Sequence, residues 1–268
     1  LRDALGYTPG VQVDQGADLR SEWFSIRGFR GTQNVFRDGL RAAYVPGGFA
    51  NGDLDPYALE RIEVLGGPSS VLYGQAQPGG IVNLVTKRPQ DETQREIELT
   101  AGSFGRKQLA FDFTGPLGPD SPWSYRLTGL VRDSGTQTDF IRNDRVYIAP
   151  ALTWRPSADT SLTILANYQR DAKGSTADYD LPRVGTLSPN VNGWIPINRM
   201  NSEPAFDRYA KPQSSIGYLF DHRLDETWTF RQNVRLSRIA TTYAGVYSYG
   251  LDPDERTVYR GAYTERDA

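Results

Sequence analysis

Strict alternation of apolar and polar residues marks the chain from about Arg95 onward. Ile97 and Leu99 alternate with Glu96 and Glu98, and later segments repeat the pattern. A side-chain period of two predicts β-strands with one apolar and one polar face. We expect about seven antiparallel strands, through residues 97–101, 109–113, 123–131, 146–154, 162–168, 216–220 and 228–236.

The chain before about Asp91 has no lasting period and is dense in Gly and Pro. Its pattern predicts short elements, which are the end of a helix at 1–5, a strand after the turn at 8–11, a strand at 24–29, a hairpin at 35–40 about an Asp38-Gly39 turn, a helical turn at 56–61 and a strand at 62–65. We therefore predict a compact mixed α/β domain ahead of the regular strands.

The connections between the regular strands alternate in length. Those at 115–122, 155–160 and 224–227 are short, whereas residues 171–211 form a very long one. Short turns at one end and long loops at the other are typical of a transmembrane β-barrel. Arg231, Asn233 and Arg235 share one face of the last strand, which indicates a wet interior. A soluble two-layer sandwich is the alternative, and it does not require this asymmetry.

Composition allows a membrane protein although the mean hydropathy is negative. Hydrophobic residues make up 38% of the chain, and no apolar run reaches the ~18 residues of a membrane helix. Barrel strands cross with about 9 to 11 residues of alternating polarity. The 15 Tyr, 11 Phe and 5 Trp suit the interfacial girdles of a barrel. An aromatic-rich soluble β protein remains the other interpretation.

Several function classes receive no support from the residues. With 30 basic and 32 acidic residues, there is no electrostatic reason to expect nucleic acid. The absence of Cys excludes disulfides and thiolate metal sites. His222 is the single histidine, and no nucleophile elbow or metal spacing accompanies it, so we do not expect an enzyme. Asp252, Asp254 and Glu255 are interpreted as solvated loop charges.

A glycine-rich signature lies between two apolar strands in the front part. The residues run Leu59-Glu60-Arg61-Ile62-Glu63-Val64-Leu65-Gly66-Gly67-Pro68-Ser69-Ser70-Val71-Leu72-Tyr73-Gly74 and continue through Pro78-Gly79-Gly80-Ile81-Val82-Asn83-Leu84-Val85-Thr86-Lys87-Arg88-Pro89. This stretch resembles the plug signature of TonB-dependent outer-membrane receptors. The stretches at 7–11, 26–29, 125–130, 153–156 and 246–250 are similar to the ferric hydroxamate (ferrichrome) branch of the siderophore receptors.

The resemblance implies a mixed α/β plug domain at 1–92, followed at 93–268 by antiparallel transmembrane β-barrel strands. Receptors of this kind have about 22 strands round a plugged lumen, so we expect only part of the barrel here. The chain starts without Met or a leader and is expected to be a processed or trimmed piece. The segment that contacts TonB would precede Leu1. The implied location is the bacterial outer membrane.

The implied function is energy-coupled uptake of a ferric siderophore, of hydroxamate type. The siderophore supplies the iron ligands, so no cofactor or metal bound by protein side chains is expected. Implied partners are the ferric siderophore, TonB, outer-membrane lipid and lipopolysaccharide, and a phage or bacteriocin. The alternatives are a TonB-dependent receptor for another cargo, such as cobalamin or an oligosaccharide, and a passive surface receptor for phage or bacteriocin.

The resemblance also assigns candidate ligand contacts, since such a ligand needs aromatic and hydrogen-bonding surfaces. It implies this role for Phe49 in the plug, for Gln33 in the Gly31-Thr32-Gln33 loop, for the loop tyrosines Tyr247 and Tyr249, and for Tyr179 in the long loop. Tyr44 is added on chemistry alone. For these aromatic residues, an interfacial belt, loop packing or a buried place in the plug is the alternative.

Arg27 resembles an arginine that locks the plug to barrel glutamates, because a guanidinium can hold carboxylates in bidentate geometry. A solvated strand charge is the alternative. The resemblance places a second lock arginine where this chain has Gly66, and the glutamate partners would lie beyond Ala268. Gly74, Gly79 and Gly80 are expected to permit positive φ and close packing of the plug.

Overall fold

The computed structural model describes residues 1–13, 19–45, 49–68, 73–172 and 181–267. A small mixed domain, the plug, comes first, and a nine-stranded antiparallel sheet, the wall, follows. The plug elements are α1 Arg2–Leu5, β1 Val11–Val13, β2 Phe24–Ile26, β3 Phe29–Arg30, β4 Val35–Arg37, β5 Leu40–Arg41, β6 Leu59–Gly66 and β7 Gly80–Thr86, with 3-10 turns at Thr32–Asn34 and Pro56–Ala58.

The plug contains two small sheets. One has the order β1-β2-β3 and the other the order β5-β4-β7-β6, in which β4 and β7 run parallel. Every residue of β7 is buried, as its largely apolar sequence favours, and Asn83 and Thr86 are its two buried polar side chains. The single strand expected at 24–29 is wrong, because Arg27 and Gly28 take positive φ values of 51° and 83° and turn the chain into a hairpin. The short helix and the Asp38-Gly39 hairpin are confirmed.

The glycines before β7 allow close backbone packing. A Cβ on Gly79 would lie 2.3 Å from the carbonyl oxygen of Ile26. A Cβ on Gly80 would lie 2.2 Å from the oxygen of Leu65, and Gly80 has a φ of +135°. Neither position has room for a side chain. Close packing is therefore confirmed for this pair, and positive φ is confirmed for Gly80 and for Gly74, whose φ is 75°. The Gly-Gly step lets the backbone pass close to Ile26 of β2 and Leu65 of β6.

The wall has its strands almost in sequence order. They are β8 Gln94–Gly102, β9 Arg106–Pro116, β10 Trp123–Asp133, β11 Arg145–Ser157, β12 Thr160–Ala172, β13 Arg208–Arg223, β14 Thr229–Ile239, β15 Thr241–Leu251 and β16 Val258–Asp267. β14 and β15 are two halves of one span, because both pair with β13 and only Ala240 separates them. Nine strands thus make eight spans in the described residues, where the pattern predicted about seven.

The two faces of the wall differ as the alternation predicts. Arg126 and Arg132 of β10 contact plug residues, whereas Val131 of the same strand lies exposed on the other face. Trp123 and Trp154 stack at 5.9 Å at the ends of β10 and β11, near the short turns, where a girdle is expected. The strands form one layer with the plug on its inner face, so the two-layer sandwich is wrong. The described residues contain no helix long and apolar enough to cross a membrane.

Candidate functional site

Aromatic side chains connect the plug to the wall near the long loops. Phe49 of the plug lies 5.2 Å from Tyr243 of β15, between ring centroids, and Tyr243 lies 5.8 Å from Tyr263 of β16. Further along β15, Tyr247 is 6.4 Å from Tyr249, which stacks on Tyr259 at 6.3 Å. We call these six residues the lumenal aromatic cluster. Separations of this kind are typical of favourable aromatic pairs.

Tyr247 and Tyr249 are strand residues, so their expected place in a loop is wrong. They lie on β15, whose odd-numbered positions share a face with Tyr243, and both are exposed at 45% and 69%. Glycines on β15 and β16 leave space for the rings. A Cβ on Gly245 would lie 2.3 Å from the Tyr243 hydroxyl, and one on Gly261 would lie 2.7 Å from the Tyr247 ring. The wall therefore presents open tyrosine surface beyond Phe49.

An arginine of the plug packs within this cluster. The Arg20 guanidinium lies 4.2 Å from the centroid of Phe49 and 5.0 Å from that of Tyr243, a favourable cation–π geometry. The carbonyl oxygen of Arg20 accepts hydrogen bonds from the Tyr209 hydroxyl at 3.1 Å and from Lys211 Nζ at 3.4 Å. Both bonds come from β13. They fix the backbone from which Arg20 reaches the two rings.

Carboxylates of β16 lie beside the same rings. The Phe49 amide donates to Asp267 Oδ2 at 3.4 Å, and the Tyr263 hydroxyl donates to Glu265. Glu265 faces Tyr243 across the strand pair. The cluster thus combines apolar ring faces with hydrogen-bonding groups, which is the character of a small-molecule site.

The outer loops extend this surface. An open groove of about 450 Å³ beside Tyr249 is lined by residues 181–184 and 248–251. Asn190 Nδ2 donates to the carbonyl oxygen of Glu255 at 2.8 Å, and the Val191 amide donates to Glu255 Oε2 at 2.9 Å. These bonds join the long loop to the β15–β16 turn. The described part of that loop is therefore held beside the tyrosines.

The remaining predicted contacts are not part of the cluster. Gln33 lies half-buried in the 3-10 turn Thr32–Asn34, and Tyr44 lies half-buried after β5. Among the described residues, no hydrogen bond or ring contact connects either one with the cluster. Tyr179 falls outside the described residues. Sequence reasoning missed Tyr243, Tyr263 and Arg20. The period of two through 243, 247 and 249 was a usable signal for Tyr243.

Arg27 is exposed and points along the plug surface. A Cβ on Gly66 would lie 3.3 Å from Arg27 Nη2, so the guanidinium rests against the β6 backbone at the position where a second lock arginine was expected. No ion pair of Arg27 occurs within the described ranges. Its lock role remains a prediction.

Ionic groups attach the plug to the wall at a second place. Asp55 Oδ2 lies 2.6 Å from Arg132 Nη2 and 3.1 Å from Arg145 Nη1. Asp53 pairs with Lys211 and lies 3.5 Å from Arg145 Nη2. Burial alone would raise the pKa of the Asp55 carboxyl, but Arg145 and Arg132 outweigh burial and hold this pKa below its usual value. Burial would also raise the pKa of the Asp53 carboxyl, but the positive charges of Lys211 and Arg145 outweigh burial and lower this pKa.

A polar cavity of about 540 Å³ lies beside these acids, between the plug and the ends of β9 to β13. Arg106, Gln108, Arg132 and Arg145 line it from the wall side. Most of these arginines have carboxylate partners, so the cavity presents a balanced charged surface.

Two further ionic contacts join β4 and β7 to the wall. Arg235 Nη2 of β14 lies 2.6 Å from Asp38 Oδ2, whose carboxylate is fully buried, and Asn233 Nδ2 donates to the Asp38 carbonyl oxygen at 2.6 Å. Lys87 Nζ lies 2.7 Å from Asp112 Oδ2 of β9. The face of β14 that carries Asn233 and Arg235 therefore meets the plug, as its polar pattern indicated.

The described residues contain no group of three or more His, Cys, Asp or Glu that could hold a metal ion. The arrangement is instead a concave surface of ring faces, hydroxyls and carboxylates, built partly on the plug and partly on the wall. Such a surface can bind a compact organic ligand, and a ligand bound there can contact the plug at Phe49.

Comparisons with known proteins agree with this architecture. Residues 1–81 match the TonB-dependent Receptor Plug Domain. Over 97% of its length the chain is 39% identical to the ferrichrome outer membrane transporter/phage receptor of Escherichia coli K12, and over its whole length it is 36% identical to a ferrioxamine receptor of Yersinia enterocolitica. These alignments cover 35% and 37% of the two relatives, so the chain spans about a third of their length.

Solved structures give the same fold. The closed form of the ferric-catecholate import receptor Fiu from Escherichia coli K12 superposes with a TM-score of 0.84 at 21% identity, over 99% of this chain and 39% of that one. At such identity the likeness concerns the fold alone. The plug match, the extent of the 39% identity and the shared fold together establish that the chain belongs to the TonB-dependent receptors of the bacterial outer membrane.

Proposed function

We propose that this chain forms the plug and neighbouring barrel strands of a receptor for energy-coupled uptake of a ferric siderophore of hydroxamate type. The observation that carries the proposal is the lumenal aromatic cluster, which places Phe49 of the plug against Tyr243 of the wall. A siderophore wraps its iron in its own oxygen ligands, so its receptor needs ring faces and hydrogen-bond donors rather than metal ligands.

The relatives favour the hydroxamate class. The two relatives named above are a ferrichrome transporter and a ferrioxamine receptor, at 39% and 36% identity. The catecholate siderophore receptor Fiu of Escherichia coli K12 is only 23% identical over 91% of this chain. Substrates of the two more similar relatives are hydroxamates, and this supports the same class here.

In the proposed mechanism the ligand lies between Phe49 and the exposed tyrosines Tyr247 and Tyr249. Binding there changes the packing of Phe49 and so shifts the plug relative to the wall. TonB then pulls on the plug, with energy from the inner membrane, and the ionic contacts to the wall must yield. We place the boundary between plug and barrel at 92/93, which falls between β7 and β8. Arg27, Gln33, Tyr44 and Tyr179 stay in the proposal as lock and ligand contacts.

Titration of the receptor that contains this chain with ferric hydroxamates, followed by tryptophan fluorescence, tests the ligand class. We expect saturable quenching by hydroxamates and none by an equal concentration of a ferric catecholate. Quenching by the catecholate alone would overturn the hydroxamate assignment. Binding of cobalamin or an oligosaccharide, with no response to either siderophore, would favour another cargo.

A second candidate function is passive binding of a phage or bacteriocin. The described part of the long loop exposes large apolar residues, among them Leu187, Val191, Trp194 and Ile197, and large exposed apolar groups favour protein contacts. One relative is named a phage receptor, and one neighbouring structure is the FpvAI–pyocin S2 complex. Uptake of labelled iron in cells without proton-motive force separates the two candidates. Energy-coupled transport predicts that uptake stops, and unchanged uptake would exclude it.

A further inference from the structure

A small cavity lies between the β4–β5 hairpin of the plug and strands β12 to β14 of the wall. Its volume is about 40 Å³. The polar residues that line it include Arg37, Arg41, Asn167, Gln213, Ser215 and Arg235. This cavity is separate from the lumenal aromatic cluster and has no place in the proposed transport mechanism.

Arg37 has an incomplete set of partners at this cavity. Its Nη2 donates to Asn167 Oδ1 at 2.7 Å. Its Nε is buried and has no hydrogen-bond acceptor, and among the described residues no carboxylate lies within 4.0 Å of its guanidinium. A buried cationic donor without a partner is costly, because the group has lost its water.

The nearby carboxylates are already used by other groups. Asp38 accepts the Thr86 amide at 2.8 Å and the Thr86 hydroxyl at 3.0 Å, and it pairs with Arg235 at 2.6 Å and with Arg88 at 3.6 Å. Asp53, which also lines the cavity, pairs with Lys211 and Arg145. Both carboxylates are therefore paired with other cations, and neither is left for Arg37.

The charges around Arg37 also favour an additional negative group at this cavity. Burial, and next the positive charge of Arg235, lower the pKa of the Arg37 guanidinium to about 10. The group is still protonated at neutral pH. Two buried guanidinium groups that repel each other gain from a negative charge placed between them.

We propose that this cavity binds one small monovalent anion of halide size, which accepts a hydrogen bond from Arg37 Nε and bridges the plug to the wall. Size favours a small ion, because a single water molecule needs a cavity of about 10–15 Å³, and the cavity of about 40 Å³ takes an ion of halide size with a water or two beside it. A water could accept from Nε, but it would leave the excess positive charge unbalanced.

The anion strengthens the contact between plug and wall. It binds only when the hairpin and strands β12 to β14 are assembled, and a ligand that binds only the assembled state stabilises that state by mass action. Thermal stability of the receptor should therefore rise with the logarithm of the chloride concentration once that concentration exceeds the Kd of the site.

The direct test is a crystal of the receptor containing this chain, grown in bromide and measured at the bromine absorption edge. We expect an anomalous peak in the cavity at hydrogen-bond distance from Arg37 Nε. A full-occupancy density peak without anomalous signal would be water, and it would overturn the proposal. This measurement uses the unmodified protein and does not depend on any transport activity.

Solution measurements supply a second test. The melting temperature is compared in sodium chloride and in sodium gluconate of equal ionic strength, since gluconate is too large for the cavity. We expect a higher melting temperature in chloride for the wild type, loss of this difference in Arg37→Gln, and its retention in Arg61→Gln. Arg61 is an exposed plug arginine paired with Glu63. If chloride raised the melting temperature equally in all three proteins, the rise would be a general effect of salt, and the proposed anion site would be wrong.

Discussion

At the scale of single residues, Phe49 and Tyr243 connect the plug to the wall strand that carries the proposed ligand surface. Phe49 sits in a plug loop closed by hydrogen bonds from the Gly52 amide to the Ala43 carbonyl at 2.8 Å and from the Val45 amide to Asn51 at 3.0 Å. Tyr243 is buried on β15, with its ring against Phe49 and the Arg20 guanidinium near both rings. The exposed tyrosines Tyr247 and Tyr249 lie further along the same strand, so a ligand that touches them lies near the rings of Tyr243 and Phe49.

Replacing Tyr243 with alanine should weaken ligand binding about tenfold. The change removes the ring against which Phe49 and the Arg20 guanidinium pack, so Phe49 is no longer held in place for the ligand. A tenfold loss corresponds to about 1.4 kcal/mol, which is the size of one lost aromatic contact between Phe49 and the ligand. Fluorescence titration with a ferric hydroxamate measures the change. Tyr168→Ala on the outer face of β12 is the matched control and should leave Kd unaltered. Equal affinity in Tyr243→Ala and wild type would remove the cluster from the site.

The residues of this site were predictable to different degrees. Phe49, Tyr247 and Tyr249 came from resemblance to a family, and the structure brings them into one cluster. Tyr243 shares their face through the period of two, so the pattern contained it. Arg20 could not be found from sequence, because its place between two rings depends on how β13 holds its backbone and on where β15 passes. Such contacts arise only from tertiary packing.

At the scale of elements, β14 shows why a wall strand carries charge. Its apolar face lies outward, and its polar face meets the plug, where Arg235 donates to the Arg37 carbonyl oxygen at 2.7 Å as well as pairing with Asp38. Asp38 itself has a positive φ of 48°, which the Asp38-Gly39 turn requires. One arginine thus fixes both the turn and the end of strand β4 that precedes it.

Arg235→Met should destabilise the plug by about 3–5 kcal/mol, because removing one partner leaves a buried carboxylate uncompensated. Urea unfolding of the receptor, followed by fluorescence, measures the loss. Arg231→Met on the same strand is the control, since its pair with Asp221 is exposed and exposed pairs contribute about 0–1 kcal/mol. Similar losses in both variants would contradict the role assigned to the buried contact.

Plug–wall contact at Asp55 should depend on pH. Its pKa is lowered in the folded protein, so the stabilisation is present above the unfolded value of about 3.9 and is lost as pH falls through the folded pKa. Melting temperatures from pH 7 to acid should fall more steeply for wild type than for Asp55→Asn. Asp159→Asn, at an exposed pair with Arg223, should follow the wild-type slope. Parallel curves for wild type and Asp55→Asn would show that this carboxylate contributes nothing.

At the scale of the whole molecule, the alternating strands and the glycine-rich front part fit together as wall and plug. Alternation alone was enough to predict the wall, because a sheet with lipid on one face and a polar interior on the other must repeat every two residues. It missed β15, where Tyr247 and Tyr249 were expected in a loop, and it missed β16. The inward positions Tyr263, Glu265 and Asp267 of β16 alternate with Thr264 and Arg266, so neither face is apolar. It also could not foresee the break at Ala240, where the amide donates to the Pro212 carbonyl oxygen at 3.1 Å.

A charge on the outer face of the wall should impair insertion. Ile164 lies on β12 opposite the lumenal residues Thr163 and Leu165, near the middle of the strand. Ile164→Arg should cost about 2–4 kcal/mol, whereas Leu224→Arg in a short turn should cost about 0–1 kcal/mol. The folded fraction in lipid vesicles, read from gel mobility before and after heating, gives the comparison. Equal folding of both variants would place Ile164 outside the hydrocarbon.

The most direct test of the whole account is a structure of the receptor with a ferric hydroxamate bound. We expect the ligand to lie in the lumen against Tyr247 and Tyr249, with Phe49 of the plug in contact, and the plug to lie against the inner face of strands β8 to β16. Ligand held on the outer loops alone, away from Phe49, would contradict the site, and a plug lying outside the wall would contradict the fold on which the site is built.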